Sequence, residues 1–205
     1  MENPRLIILE AGLQLLMENG FKGLSMEAIA LAADVPLADV LSEFETKETL
    51  LDRIIRDWGA SAIAEIRSDL PKFATLDSML ILVFDVWVVR PFELIGRSPG
   101  ASDLFDSSLQ SARGAVDANF DAFVSLLTDV LRSESQSVRN QMTPPGDLAY
   151  LLAKSVVGYR PNVKNTQELR TLITGLVELA VRRGRHTLVG SRGTPLPIRH
   201  HRAAS

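Results

Sequence analysis

The sequence predicts an all-α protein, a three-helix N-terminal head joined to a larger helical body, about nine helices altogether. Three observations carry that reading. Apolar residues recur at helical spacing along most of the 205 residues, and the alternation expected of strands is almost absent. Ser, Thr and Pro stand where helices would begin, and Gly, Asn and Pro where they would end. Hydrophobic residues make up 46% of the chain, enough for a real core.

Taken in order, the first helix is expected from about Pro4 to Asn19, with Ile8, Ala11, Gly12, Leu15 and Leu16 on one face. Proline suits a first turn and Asn19-Gly20 a last one. Ser25 caps a short helix, SMEAIALAA, because its hydroxyl can accept an orphan N–H. Asp34 occupies the turn, where it is among the few residue types that tolerate a left-handed backbone. Pro36 opens a second short helix with Val35, Val40, Leu41 and Phe44 inward, and Thr46 caps a long helix from Lys47 to about Leu70, ended by Pro71. In the body, helices are expected at about Thr75–Arg90, Ser102–Arg132 (loosened at Gly114), Pro145–Tyr159 and Thr166–Arg183, with a short turn near Phe92–Gly96. The end, RRGRHTLVGSRGTPLPIRHHRAAS, lacks periodicity and reads as a flexible basic tail. The expected division is a head over 1–47, a body over 48–184 and a tail over 185–205.

Composition narrows the function. With no cysteine, disulfides, thiolate metal sites and a cysteine nucleophile are excluded. The most apolar run, Met79 to Val89, is far below the ~20 residues of a membrane span and contains Asp85, so no membrane partner is expected. The N-terminus has no basic region before its apolar run, which argues against a signal peptide and for a cytoplasmic protein. All three histidines lie in or beside the tail, and no phosphate loop or metal-ligand spacing occurs, so neither an enzyme nor a cofactor is expected. Charge is divided unevenly. Residues 1–57 hold five basic and eleven acidic groups, whereas the stretch from Arg182 to Ser205 holds six arginines and no acid.

A helix, a short helix, a tight turn, a short helix and a long connector form the outline of a helix-turn-helix head. The residues from Ile8 to Leu51 make it specific. Gly20-Phe21, Ser25, Ile29-Ala30, Ala33, Val35, Phe44 and Thr46-Lys47-Glu48 stand as they do in the TetR family of bacterial transcriptional regulators, which this stretch resembles. The departures fall together. Asp34 replaces the turn glycine, Pro36 the capping serine, Asp39-Val40-Leu41 a Thr-Leu-Tyr triplet, and Glu43 the histidine before Phe44. The apolar frame is kept and the DNA-facing chemistry is altered. A carboxylate beside a phosphate is repelled by roughly 1 kcal/mol before screening, yet an acid can accept a hydrogen bond from cytosine N4.

The resemblance implies a DNA-binding regulator, acting as a homodimer and released as a repressor by a small apolar effector. The DNA face would comprise Ser25, Met26, Pro36, Leu37, Ala38, Asp39, Ser42 and Lys47. In the body, Met79, Val83, Phe84, Trp87, Phe120, Phe123 and Tyr150 are the large groups placed to line an effector pocket, although singly each is more readily a core residue. For a dimer, Leu151, Leu152, Ser155, Val156 and Tyr159 on one helix would join Leu172, Ile173, Leu176, Leu179 and Ala180 on the next. Asp85, costly to bury alone, has three readings in order of preference: paired with an arginine such as Arg90, at a solvent edge, or facing a ligand. The alternative function is a TetR-fold ligand- or protein-binding module without sequence-specific DNA binding.

Overall fold

The structure is a computed structural model that describes residues 3–97, 112–133, 143–159 and 162–185. Every regular element among those residues is a helix, as expected. The head consists of α1 (Pro4–Gly23), α2 (Met26–Ala32) and α3 (Leu37–Glu43), followed by the long connector α4 (Lys47–Asp69). A 3₁₀ turn, Leu70–Lys72, contains the expected terminator Pro71. The body adds α5 (Leu76–Phe84), a π-helical turn (Asp85–Val89), α6 (Arg90–Arg97), α7 (Arg113–Ser133), α8 (Pro145–Tyr159) and α9 (Thr166–Arg185).

The expected punctuation of the head is present at atomic detail. Ser25 Oγ accepts the Ala28 amide at 3.1 Å, starting α2. Asp34 turns the chain with φ 53°, and Pro36 precedes α3. Thr46 and Thr49 exchange side-chain and backbone bonds, each at 3.2 Å, across the start of α4. These satisfy amides that a helix start leaves without intrahelical partners.

The first helix breaks at Gly20, where its end was expected: φ there is 69°, a conformation glycine adopts freely, and a further turn carries Phe21 into the core before Leu24 closes it. Two expectations are corrected. Leu41, expected inward, is exposed, because α3 is so short that Val40 and Phe44 alone fill its contact with the head. No separate turn occurs at Phe92–Gly96. The chain runs on through the π turn into α6, whose second residue, Pro91, has no amide to donate back into the π turn. The expected helix from Ser102 is described only from Arg113, and the tail beyond Arg185 lies outside the described residues.

Two apolar clusters result. One joins Ile8, Leu16, Ile29, Val40 and Phe44 of the head to Leu50, Leu51, Ile54 and Ile55 of α4. It also includes Ala112 and Ala115, from the start of α7. The other, built from Ile66, Leu80, Val83, Phe84, Phe123, Leu127, Leu152 and Leu169 among others, is the core of the body. The connector α4 thus belongs to both clusters, and α7 plugs its first turn into the head.

Candidate nucleic-acid interface and the body beneath it

Helix α3 is held from behind. Val40 is fully buried and Phe44 nearly so, which leaves Leu37, Ala38, Asp39, Leu41 and Ser42 facing solvent. Pro36 is exposed beside them, while Ser25 and Met26 at the start of α2 are half-buried. Ser42 Oγ turns back to the Asp39 carbonyl at 2.9 Å, leaving its lone pairs outward. Leu31 of α2 is the most exposed large apolar residue described, at 85%, and with Ala30, Asp34, Val35 and Pro36 it lines an open depression at the turn.

The charges differ from what residue counting implies. Glu43 is not free: Arg5 from α1 approaches it at 3.7 Å and lies over the Phe44 ring, 5.4 Å from its centroid. This pair had no signal in the sequence, since 38 positions separate its members. Lys47, assigned to the DNA face, has its ammonium directed inward to the carbonyls of Phe21 at 3.3 Å and Leu24 at 3.4 Å, above the Phe21 ring. Those carbonyls close the broken first helix, where Phe21 already accepts the Leu24 amide at 3.3 Å, and a cation at a helix C-terminus is favoured. Among the described residues, Glu27, Asp34, Asp39 and Glu45 form no ion pair.

In the body, the large residues assigned to a pocket separate into two groups. Phe84, Val83, Trp87 and Phe123 are buried and mutually packed. Trp87 stacks on Phe123 at 4.7 Å, Phe123 meets Phe84 edge-on at 5.9 Å, and Trp58 of α4 lies 5.0 Å from Trp87. Four rings therefore lead from the partly exposed Trp58 to the centre of the core. Trp58 escaped sequence reading because its helix was assigned only the role of connector. Met79 and Phe120 sit at the edge of this core, and Tyr150 is exposed, edge-on to Phe120 with Lys154 above both rings.

Asp85 follows the first of its three readings and extends it. Its carboxylate receives Arg90 Nε at 3.1 Å and also Arg170 of α9. Arg90 continues to Glu65 of α4, and Arg170 to Glu93 of α6 at 3.3 Å. The hydrogen bond that Arg90 donates to Glu65 is the main cause that holds its guanidinium above its ordinary range. For Arg170 partial burial works the other way, but Asp85 and Glu93 outweigh it and the net shift is again upward. The network ties the connector, the π turn, α6 and α9 together.

The residues assigned to a dimer face also divide. Leu152, Val156 and Ile173 are buried in the chain's own core, and Ser155, Leu176 and Ala180 are half-buried. Leu151, Tyr159, Leu172 and Leu179 are exposed, Leu179 at 66%, and Val157, not anticipated, joins them at 43%. Helices α8 and α9 are apolar on more than one face, which a single periodic stripe does not resolve.

With this geometry in view, residues 8–54 match the family model for bacterial regulatory proteins, tetR family. Over that stretch, about a quarter of the chain, the head resembles those of the tetR family. No curated protein matches it. Solved structures extend the likeness of fold to the body. A transcriptional regulator from Cytophaga hutchinsonii ATCC 33406 superposes with TM-score 0.68 at 15% identity, over 87% of this chain and 96% of that one. The TetR family repressor AlkX from Dietzia sp. strain DQ12-45-1b, implicated in biodegradation of n-alkanes, gives 0.60 at 18%, over 90% and 96%. FadR from Bacillus subtilis, in complex with stearoyl-CoA, gives 0.58 at 19%, over 86% and 97%. The fold is thus TetR-like along both head and body, with the helix-turn-helix at α2 and α3.

Proposed function

We propose that the protein is a homodimeric DNA-binding repressor whose hold on its operator is released by a small apolar effector carrying a hydrocarbon chain. One observation carries the DNA half of this reading. The turn from α2 to α3 is built as a helix-turn-helix requires, on a buried frame that turns Leu37, Ala38, Asp39, Leu41 and Ser42 outward as one face. Each has a use in a major groove. Leucine methyls suit the thymine C5-methyl, Asp39 can accept from cytosine N4, and Ser42 can serve a base or a phosphate. Arg5 lowers the repulsion that Glu43 alone would exert.

The effector half is supported by the aromatic ladder and by α7. The ladder's rings pack against α7 at Phe123, and the start of α7 is packed into the head through Ala112 and Ala115. A hydrocarbon chain wedged between Trp87 and Phe123 would displace α7, and with it the head. Two structural relatives are described with n-alkane degradation and with stearoyl-CoA, chemistry of this kind. Such a ligand shifts a population of head spacings, with a coupling of about 5- to 150-fold in affinity. The exposed leucines of α8 and α9 supply a self-complementary surface for the dimer that two half-sites need.

Selection of duplexes from a genomic pool by the full chain, across a salt series, tests the proposal. The expected result is enrichment of a palindrome whose half-sites lie about one helical turn apart, with affinity falling steeply in salt. A second reading, a ligand- or protein-binding module without DNA recognition, is favoured by Asp34, Asp39 and Glu45, which have no ion-pair partner among the described residues, and by the inward Lys47. Absence of any enriched duplex at low salt, alongside thermal stabilisation by acyl compounds, would replace the first reading with the second.

A further inference from the structure

We infer that residues 186–205 of this chain dock on the α2–α3 surface of the head and cover it when DNA is absent. The surface is apolar at its centre. Leu31 lines the depression with the half-buried Val35 and with Pro36, and Leu37 and Leu41 stand one turn apart on α3, exposed like Leu31. Apolar groups so grouped on a monomer's surface commonly mark a binding site. The rim of this one is acidic, with Glu27, Asp34, Asp39 and Glu45 all without an ion-pair partner among the described residues.

The segment has the complementary chemistry in both respects. It holds Arg192, Arg199 and Arg202, no Asp or Glu, and the apolar residues Leu188, Val189, Leu196 and Ile198. Pro195 and Pro197 flank Leu196, and proline's fixed φ lowers the entropy lost when an extended segment binds an apolar depression. Reach is sufficient. Twenty residues beyond Arg185 span up to about 65 Å, more than the ~45 Å width of a compact chain of this size. In the body Asp85, Glu65 and Glu93 are engaged by arginines, as are Asp52 and Asp57 on α4 by Arg56 and Arg53. What distinguishes the head surface is that its acids, without an ion-pair partner among the described residues, surround an exposed apolar centre. The contact rests on these two chemistries alone. Its consequence, occlusion of the face offered to DNA, rests on the function proposed above.

The test places a photoactivatable benzophenone amino acid at Leu196 in the full chain and maps its adducts by peptide mass spectrometry, first with no DNA present. The expected outcome is adducts concentrated in residues 27–45. Replacing Arg192, Arg199 and Arg202 by Ser should reduce them about tenfold, as should raising salt to about 0.5 M. Adducts confined to the body, adducts insensitive to the three Arg→Ser changes, or none at all would overturn the inference. A second arm adds duplex DNA. Loss of the head adducts supports occlusion, whereas adducts that appear only on added DNA would show the segment to be a DNA clamp and overturn the docking. Absence of any operator in the selection experiment leaves the DNA-free arm intact, so the two proposals fail separately.

Discussion

Gly59 shows how much depends on single positions in this molecule. A Cβ there would come within 2.4 Å of the Asn119 side chain, whose amide donates to the Ile55 carbonyl at 2.7 Å. The missing side chain lets α7 lie directly against the connector, and Asn119 serves a carbonyl in mid-helix. Gly59→Ala is expected to lower stability by about 1–3 kcal/mol through overpacking. The double variant with Asn119→Ala should be less unstable than the sum of the singles, measured as a double-mutant cycle in urea. Ser25→Ala should cost about 1 kcal/mol by removing the cap of α2. Asp34, at φ 53°, occupies a backbone region that costs an ordinary L-residue about 1 kcal/mol or more, so Asp34→Gly should not destabilise the head while Asp34→Ala should. Equal melting temperatures for those two variants would remove the argument from the left-handed turn.

At the level of elements, α3 and the π turn make different demands. For α3, Asp39→Asn keeps an acceptor and removes a charge, so affinity for the selected operator should rise and its salt dependence change. Unchanged binding would place Asp39 away from the phosphates. The π turn carries Asp85 into contact with Arg90 and Arg170, which brings three helices to one carboxylate. Both guanidinium groups are raised above their ordinary range. Any stability they contribute through that shift is fully present below the ordinary arginine value and is lost only as pH rises through the higher folded value. Between about pH 6 and 9 their share should therefore not vary, while Asp85→Asn should remove much of it. Both arginines are well exposed, so solvent screens the effect and a modest fall in melting temperature is expected. The chain's two tryptophans, Trp58 and Trp87, are neighbours in the aromatic ladder, so an effector entering there should change near-ultraviolet dichroism sharply.

For the whole molecule, the proposed mechanism needs two copies. Leu179→Glu together with Leu151→Glu puts charge on exposed positions and should leave the monomer's stability within about 0.5 kcal/mol. Sedimentation should then show monomers, and operator affinity should fall by orders of magnitude because two half-sites no longer bind as a unit. A stable dimer with both charges in place would move the interface elsewhere.

The same scale shows what sequence reading reached. Caps, breakers and apolar periodicity are local, acting within one or two turns, so Ser25, Thr46, Asp34 and Pro36 identified the head's elements and their order without any knowledge of packing. The family resemblance followed from the same residues, because the buried frame that builds the head is also what the family shares. What was not legible depends on which groups meet across long separations. Arg5 neutralises Glu43, Arg170 joins Asp85, Lys47 turns back to Phe21, and Leu151 and Leu152 face opposite environments, although spacing treats each pair alike. Helix identity is set by interactions near in sequence, whereas the charge and exposure of a surface are set by whatever the fold brings beside it. The sequence by itself determined the all-α class, the helix-turn-helix and the resemblance of the head to the tetR family. Only the tertiary structure decided which of the head's acids lack an ion-pair partner among the described residues, which aromatic rings form the core, and which leucines are exposed.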